Sequence, residues 1–368
     1  MNSFWKQVSA KFPIKGTPWT FSGYSVAARN TIIIINELGI AFDCGLETDQ
    51  NLSHIFISHT HLDHVKATPQ YIIDPSNGKI PIVIIPKPSA SNFKSFVTSA
   101  IAMTKHEAKF SVKMQTIEVS LKPKEKSAIL PDILIVKNIR FRIEIIRCNH
   151  STPTTGYGLI EIRSKLKDEY KGLSQIELNA LKQSGIEICY DVEIPHFCYL
   201  GDTDHKVLGD PDKKNPGSYI AYNKCLEKYF TIFVECTFYD SVDISQAKSA
   251  KHMHWIWLEP YIRDHPNTQF VLYHFSMRYK PKNIIEFFSS TGIPNITLLV
   301  HDFDEIHMSS VEALIKTGKF TPEQLRHLSE LLPVCHSNEH HDDAHEDADE
   351  NTHFDSDAVS YGSVPDDD

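Results

Sequence analysis

The stretch SHTHLDHV, residues 58–65, contains three histidines and one aspartate within six positions and directly follows the apolar run HIFI, residues 54–57. Imidazole and carboxylate are side chains that bind zinc in proteins. Four such groups this close in sequence point at one place only if the backbone turns tightly there. The stretch therefore predicts the nucleus of a metal site, provided that other parts of the chain supply further ligands.

The composition is that of an ordinary globular protein. The 368 residues are 41% hydrophobic and 23% charged. The first residues, MNSFWKQVSAKF, lack the apolar stretch of a signal peptide, and the most apolar run, TIIIINELGIAF, is interrupted by Asn36 and Glu37. We expect no membrane passage and a location in the cytoplasm or the nucleus. Seven cysteines without a CxxC pair argue for a reduced compartment and against a thiolate zinc site.

The formal charge of −10 is concentrated at one end of the sequence. Residues 336–368 contain 12 acidic side chains and no Lys or Arg, and the preceding residues contain 35 acidic and 37 basic side chains. A run of this kind buries too little apolar surface to order itself, so we expect an acidic, His-rich, disordered tail. Its five histidines offer adventitious metal binding, but a solvated segment is the favoured interpretation.

Short β-rich runs recur along the rest of the chain, and several are almost continuously apolar, which is typical of strands covered on both faces. Helical patterns separate them at residues 91–108 and 321–332. In residues 172–185, Ser174 and Glu177 form a capping-box pattern, and Gly185 is a helix terminator. Ile176, Leu178 and Leu181 give this predicted helix an apolar side. No repeat of 20 to 50 residues is present. Sheets with helices outside them are the expected architecture.

Metal-ligating residues follow several of the predicted strands. His59, His150, Asp202 and His274 each come just after a β-rich run, and strand ends form a rim where distant loops converge. Taken alone, His150 or His274 is more often a satisfied polar residue than a ligand. Together with the first motif they make seven ligands, a number that suits two zinc ions sharing one carboxylate. The set is His59, His61, Asp63, His64, His150, Asp202 and His274.

Several motifs resemble the metallo-β-lactamase superfamily and, within it, ribonuclease Z, the endonuclease that matures transfer RNA 3′ ends. They are GIAFDCG, SHTHLDH, YLGDTDH, ECTFYD and YHFSMRY, and the stretch KLKDEYKGLSQIELNALKQSGIEI is similar to the short-form enzymes of plants. The resemblance covers roughly residues 20–300. It implies an αββα sandwich of class α/β, in which two packed mixed sheets carry helices on their outer faces. It also implies one catalytic domain over residues 1–335, with a tRNA-binding insert at about 160–190, and a homodimer whose partner is precursor tRNA.

The resemblance assigns the ligands. It implies that His59, His61 and His150 hold one zinc and that Asp63, His64 and His274 hold the other, with Mn²⁺ or Mg²⁺ as substitutes. Asp202 bridges the two ions, and Asp63 counts among the catalytic residues as well. Two metal ions about 3.5–4 Å apart activate water and polarise a phosphodiester. Cleavage by such a pair is expected to leave a 3′-hydroxyl on the tRNA and a 5′-phosphate on the trailer.

The leaving oxygen requires a proton, and the stretch AKHMHW offers two histidines for this role. The resemblance favours His252 over His254, with Glu235 as the partner that orients the imidazole. Asp43 and His254 are expected to support the site from outside the ligand set. Two alternatives remain open: Glu235 as a buried structural carboxylate, and Asp43 as a turn residue before Gly45.

For the RNA backbone, the resemblance points to Arg29 and Asn30 in SVAARNT and to Ser276 and Arg278 in HFSMRY. The lysines of RSKLKDEYK, residues 163–171, are expected to belong either to a tRNA-gripping extension or to a solvated lead-in to a helix. Three features depart from the family. Lys66 and Lys251 stand where glycines are usual, and residues 205–230 are longer than the usual connection.

Three functions are consistent with this pattern. The first is a zinc-dependent endoribonuclease that removes 3′ trailers from precursor tRNA. The second is a hydrolase of the same fold acting on small phosphodiesters or esters. The third is a tRNA-binding protein whose chemistry has lapsed. The complete ligand set counts against the third, and the HFSMRY segment counts against the second.

Overall fold

A computed structural model of the protein describes residues 3–75, 78–106, 113–215 and 217–301. The helix predicted at 321–332 and the acidic tail, 336–368, lie outside these residues. The strands are β1 Phe12–Pro13, β2 Thr20–Val26, β3 Asn30–Ile35, β4 Ile40–Phe42, β5 His54–Phe56, β6 Ile82–Pro86, β7 Thr116–Val119, β8 Ser127–Val136, β9 Ile139–Arg147, β10 Thr155–Leu166, β11 Cys189–Tyr199, β12 Gly209–Pro211, β13 Tyr219–Tyr222, β14 Thr231–Glu235, β15 Gln269–Tyr273 and β16 Ile296–Leu298. The helices are α1 Ser3–Val8, α2 Leu62–Val65, α3 Thr68–Ile73, α4 Ala90–Lys105, α5 Gln175–Gln183, α6 Lys224–Glu227, α7 Ile244–Ala250, α8 Trp255–Asp264 and α9 Pro281–Ser290.

Two seven-stranded sheets dominate the structure. The first has the order β1-β2-β3-β4-β5-β6-β7, and the second has the order β16-β15-β14-β11-β10-β9-β8. In the first sheet β1 to β4 are antiparallel and β4 to β7 are parallel. In the second, β8 to β11 are antiparallel, whereas β11, β14, β15 and β16 are parallel. Both sheets are therefore mixed, as predicted.

The two sheets pack face to face around an aromatic and aliphatic core. Phe21, Phe42 and Phe56 of the first sheet lie in one cluster with Phe197 and Tyr199 of the second, and all five are fully buried. Successive side chains of a strand point to opposite faces of its sheet. When the second sheet covers one face and helices cover the other, both sets of side chains are buried. This explains why the β-rich runs are almost continuously apolar.

Helices cover the outer face of each sheet. On the first, Phe93, Val97 and Ile101 of α4 pack against β3 to β6 together with residues of α2 and α3. On the second, residues of α6, α8 and α9 pack against β10, β11, β14 and β15. The layers are thus helix, sheet, sheet and helix, which confirms the predicted αββα sandwich. Within the described ranges, no helix has the length and apolar character that a bilayer crossing requires.

The predicted insert is an extension of β10 and β11 with α5 between them. The two strands remain paired out to Leu166 and Cys189. Ser174 caps α5 in a complete capping box with Glu177, as the sequence predicts. No residue of α5 is buried, however, and Ile176 is 82% exposed. The apolar side of this helix therefore faces solvent in the described part of the chain instead of packing on the core.

The strand directions bring the chemistry-bearing loops to one edge of the sandwich. Strands β9, β11, β14 and β15 run the same way, because β9 and β11 are both antiparallel to β10 while β11, β14 and β15 are parallel. Their carboxyl ends lead into His150, Asp202, Glu235 and His274. The loop that begins with Ser58 follows β5 of the other sheet, and Thr155 N donates to the Ser58 carbonyl at 2.9 Å. The metal-site residues therefore gather at this rim.

Phe197→Ala tests whether the inter-sheet core carries the stability of the domain. The buried Phe197 ring lies against Trp19, Phe42 and Phe233, so we expect a loss of about 3–5 kcal/mol in the free energy of unfolding. Urea denaturation measures it. Ile135→Ala, at a side chain that is 63% exposed, is the control and should change stability by no more than about 0.5 kcal/mol.

Candidate metal centre

The histidine-rich loop folds back on the loop that follows β4. Cys44 N donates to the His64 carbonyl at 2.6 Å, and Ala67 N donates to the Cys44 carbonyl at 2.9 Å. At Gly45 a Cβ atom would lie 1.7 Å from the Asp63 carbonyl oxygen, so only glycine fits. These contacts provide the tight turn that the sequence requires and bring His59, Asp63 and His64 to one place.

The first predicted ligand set converges on one point. Nε2 of His59 and Nε2 of His150 lie 3.1 Å and 3.3 Å from Nδ1 of His61. Ligands placed tetrahedrally about 2.0–2.1 Å from a zinc ion are separated from each other by roughly 3.3 Å. The His59–His61 and His150–His61 nitrogen pairs therefore already have the spacing of neighbouring corners of a zinc tetrahedron.

The second set has similar spacing. Nε2 of His64 is 3.3 Å from Nε2 of His274. Oδ2 of Asp63 is 3.5 Å from the His64 nitrogen and 3.6 Å from the His274 nitrogen. These atoms form one of the compact groups of metal-ligating side chains in the described residues, and His59, His61, His150 and Asp202 form another.

Asp202 lies between the two sets. Its Oδ2 atom is 3.4 Å from both His64 Nε2 and His274 Nε2, and 3.6 Å from His59 Nε2. Its Oδ1 atom is buried and has no hydrogen-bond partner within the described part of the chain. A buried carboxylate oxygen without a partner is costly unless a cation compensates for it. The donor set therefore fits two metal ions with Asp202 between them.

Most of the protonation states also suit metal binding. The exception is His64, where burial lowers the pKa but the Asp202 and Asp43 carboxylates outweigh it and raise that pKa well above its usual range. Burial lowers the pKa of His59, His61 and His150, in the last case to about 4, so these imidazoles keep a free lone pair at neutral pH. Burial alone raises the pKa of the two ligand carboxyls, but His274 and His64 outweigh it. The pKa of Asp63 falls to about 2, and that of Asp202 falls well below its usual range. Both carboxyls are therefore ionised.

Asp43 orients the histidines of the first loop. Its Oδ2 atom accepts from His64 Nδ1 at 2.8 Å and from the Ser58 hydroxyl at 2.9 Å, and Ser58 Oγ lies 2.9 Å from His59 Nδ1. Tyr199 donates to the same oxygen at 2.5 Å. Because the Nδ1 atoms are engaged, the Nε2 atoms of both histidines face the metal positions. The structure thus places Asp43 in contact with a predicted ligand, and not merely in a turn.

Glu235 has the same arrangement on the second sheet. Its Oε1 atom accepts from His252 Nδ1 at 2.8 Å, and its Oε2 atom accepts from the Thr237 hydroxyl at 2.5 Å. The Thr237 oxygen lies 3.0 Å from His274 Nδ1. This fully buried carboxylate therefore orients His252 directly and His274 through one hydroxyl group.

The two histidines proposed as the acid occupy different environments. The ring of His252 lies beside those of His150 and His274, with centroids 4.7 and 5.5 Å away. Burial alone lowers the pKa of His252, but the Glu235 carboxylate outweighs it and raises that pKa to about 9. His254 instead caps α8: its Nδ1 accepts from Ile256 N at 3.0 Å, and its Nε2 donates to the Asp240 carbonyl at 2.8 Å. Both nitrogens of His254 are thus occupied by the backbone.

The four predicted phosphate-binding residues are near the site but differ in their contacts. Arg29 is exposed, and its Nε contacts the Met277 sulfur at 2.7 Å. Asn30 donates to the Gly45 carbonyl at 2.5 Å and so fixes the loop instead of facing solvent freely. Ser276 and Arg278 lie in the segment that follows His274, where the Arg278 guanidinium donates to the Ser276 hydroxyl at 3.2 Å. Arg278 also pairs with the Asp243 carboxylate.

Three orienting groups do not stand out in the sequence. They are the Ser58 hydroxyl, the Thr237 hydroxyl and the Lys251 carbonyl, which accepts from His150 Nδ1 at 3.2 Å. Ser58 and Thr237 belong to the quoted motifs SHTHLDH and ECTFYD, so their position beside predicted site residues was a usable signal. The carbonyl of Lys251 carries no sequence signal, because every residue has one.

No protein-family model matches the chain, but comparison with known proteins finds relatives that share one name, tRNase Z. The tRNase Z TRZ1 of Arabidopsis thaliana is 29% identical over 286 residues, which cover 76% of this chain and 93% of that protein. The chloroplastic tRNase Z TRZ2 of the same plant is 26% identical over 273 residues, covering 73% of this chain and 70% of that protein. The crystal structure of human tRNase Z, short form (ELAC1), has a TM-score of 0.46 at 17% identity and covers 76% of this chain and 95% of that one. The similarity to the plant proteins extends far beyond the histidine motif.

Asp43→Asn tests whether the buried carboxylate supports metal binding. Asparagine cannot replace the charge that His64, Ser58 and Tyr199 face, so we expect metal affinity to fall about 10- to 100-fold. Competition with a chelator, followed by elemental analysis, measures it. Asp49→Asn, the same change at an exposed position, is the control. Unchanged affinity in the Asp43 variant would contradict the assigned role.

Proposed function

We infer that this chain is a hydrolytic endoribonuclease that processes the 3′ ends of transfer RNA. As the sequence motifs predict, it is related to ribonuclease Z of the metallo-β-lactamase superfamily. Two curated relatives named tRNase Z align with about three quarters of the chain. These names support the reaction and the class of substrate.

One observation carries the proposal: a hydrogen-bonded His252–Glu235 pair lies beside two complete sets of metal ligands. Metal ligands alone suit many hydrolases. An imidazole held by a buried carboxylate next to them adds a group that can hold and deliver a proton. The combination suits the cleavage of a phosphodiester whose leaving oxygen must be protonated.

The ions that these residues fit are two divalent cations, which when bound supply Lewis acidity to a phosphodiester and to water. Five imidazoles and two carboxylates form the donor set. Nitrogen-rich sites favour zinc over magnesium, which prefers oxygen ligands and retains its waters. We therefore propose two Zn²⁺ per chain, with Mn²⁺ or Mg²⁺ as poorer substitutes.

The roles of the chain's own groups follow from their positions. The ligands His59, His61, Asp63, His64, His150, Asp202 and His274 would hold the two ions, which would supply binding sites for the scissile phosphate and the attacking water. The P–O3′ bond breaks, and the His252 imidazolium gives its proton to the leaving 3′-oxygen, while Glu235 holds the ring. The oxygen of water forms the new P–O bond, and the proton that this water loses passes to solvent, from which His252 is protonated again. The products are a tRNA with a 3′-hydroxyl and a trailer with a 5′-phosphate.

The substrate is larger than the metal site, so other surfaces must bind it. The extension that carries α5 projects from β10 and β11 with exposed lysines, including Lys165 and Lys182. Lysines on an extended element suit contact with an RNA backbone, although Asp168, Glu169, Glu177 and Glu187 reduce the net positive charge of this stretch. We propose that this extension binds the body of the precursor tRNA and that the enzyme acts as a homodimer.

Cleavage of a 3′-extended precursor tRNA by the purified, zinc-loaded protein tests the proposed function. We expect a cut just after the acceptor stem, with product ends mapped to the nucleotide. His61→Ala should lose both metal and activity, because it removes the nitrogen that lies 3.1 Å from His59 and 3.3 Å from His150.

Other results would point elsewhere. Turnover of a small phosphodiester, without a preference for structured RNA, would favour a hydrolase of small esters on the same fold. RNA binding without metal-dependent cleavage would favour a protein whose chemistry has lapsed. A His61→Ala protein with full metal content and full rate would refute the ligand assignment.

His252→Ala tests the proton donor separately from the metals. We expect normal zinc content and single-turnover cleavage slowed by about 10²- to 10⁴-fold. His254→Ala is the matched variant: it loses the cap of α8 and about 1 kcal/mol of stability, but its rate of cleavage should stay close to that of the native protein. Loss of metal from the His252 variant would show that this histidine is a ligand instead of an acid.

A further inference from the structure

The cations around the metal centre differ in how far their charge is already compensated. Arg278, the arginine that the sequence suggests for phosphate binding, donates to the Asp243 carboxylate and to Gln246 Oε1, and its guanidinium lies 5.2 Å from the centre of the Phe238 ring. Asp243 is buried and also accepts from the Tyr279 hydroxyl. The charge of Arg278 is therefore already paired with a buried carboxylate, although 41% of its side chain is exposed.

Lys251 lies at the rim on the side of the first ligand set. Its backbone carbonyl accepts from His150 Nδ1, and its ammonium group donates to the His150 carbonyl at 3.4 Å. His252 is the next residue. Among the described residues, no carboxylate lies within 4.0 Å of the Lys251 ammonium group, so its charge has no acidic counterpart there.

The backbone conformation at Lys251 does not favour a lysine. This residue ends α7 with φ of 54°, in the left-handed region that favours glycine. Any side chain is strained at this position, and glycine would adopt it freely. Any advantage of lysine over glycine at this position must therefore come from the contacts of its side chain.

Lys66 lies on the side of the second ligand set. It follows α2 two residues after His64, is exposed, and donates to the Arg29 carbonyl at 2.6 Å. That contact joins it to the loop that bears the Arg29 guanidinium. Neither Lys66 nor Arg29 has a carboxylate within 4.0 Å in the part of the chain that the structure describes.

We propose that Lys66 and Lys251 bind RNA phosphates on the two sides of the scissile bond, one beside His64 and the other beside His150. The inference rests on the proposed ribonuclease activity and names residues that its substrate contacts. A lysine ammonium is a compact point charge on a flexible stem, which suits backbone phosphates whose position varies between substrates. It needs no fixed planar geometry, unlike the guanidinium that Asp243 and Gln246 already hold.

The test compares Lys66→Met, Lys251→Met and the double variant on precursor tRNA between about 50 and 300 mM potassium chloride. Methionine keeps the length of the side chain and removes its charge. We expect KM near physiological salt to rise about 5- to 10-fold for each variant, with kcat within about twofold, and the salt slope of log kcat/KM to fall by about one for each lysine. Lys66→Arg and Lys251→Arg should restore KM to within about twofold, because they keep the charge.

Two controls separate phosphate binding from a structural role. Lys94→Met removes a lysine that pairs with Glu118 on the outer helical layer, and it should leave the salt slope unchanged. Hydrolysis of bis(p-nitrophenyl) phosphate, which has a single phosphodiester and no neighbouring phosphates, should proceed at the native rate in both lysine variants.

An unchanged salt slope in both methionine variants of an enzyme that cleaves precursor tRNA would overturn the inference and leave the proposed function intact. Equal loss of rate on both substrates would also overturn it, since that result indicates a disturbed metal site. If the native protein hydrolyses the small diester but does not cleave precursor tRNA, the proposed function fails first, and this inference fails with it.

Discussion

Two buried carboxylates organise the candidate metal centre. Asp43 on the first sheet holds His64 directly and His59 through Ser58, and Glu235 on the second holds His252 directly and His274 through Thr237. Burying a carboxylate is costly unless hydrogen bonds compensate for it. The bonds that compensate for this cost also fix which ring nitrogen of each histidine faces the metal positions. The same hydrogen bonds therefore stabilise the rim and orient the ligands.

This arrangement depends on the packing of the two sheets. Asp43 and His274 adopt φ values of 59° and 64°, a region that costs a non-glycine residue about 1–3 kcal/mol. Both follow strands whose last residues, Phe42 and Tyr273, are fully buried in the inter-sheet core, and the Tyr199 ring stacks near both, with centroids 4.8 and 5.4 Å away. The aromatic core thus holds two strained residues in the positions that the site requires.

The sequence predicted the layers and the seven candidate ligand residues. Four of these residues, His59, His150, Asp202 and His274, directly follow predicted strands, whose ends form a rim, and the other three share one short motif with His59. The sequence did not predict that Arg278 pairs with Asp243, because the two residues are 35 positions apart and their ion pair leaves no local pattern. It also gave α5 an apolar side that the structure leaves exposed. Periodicity indicates which side chains share a face, but it does not show whether another element covers that face.

The charge of the site gives rim cations a role in binding the proposed RNA substrate. Burial keeps three of the ligand imidazoles neutral, whereas Asp43, Asp63, Asp202 and Glu235 provide four carboxylates at the centre. The two proposed divalent ions would largely offset these carboxylates and leave little excess positive charge beyond the His252 imidazolium to attract a polyanion. Since Asp243 also pairs with Arg278, the attraction for phosphates beyond the scissile one must come from cations without an acidic partner. Lys66, Lys251 and Arg29 are such groups, and they lie on both sides of the metal ligands.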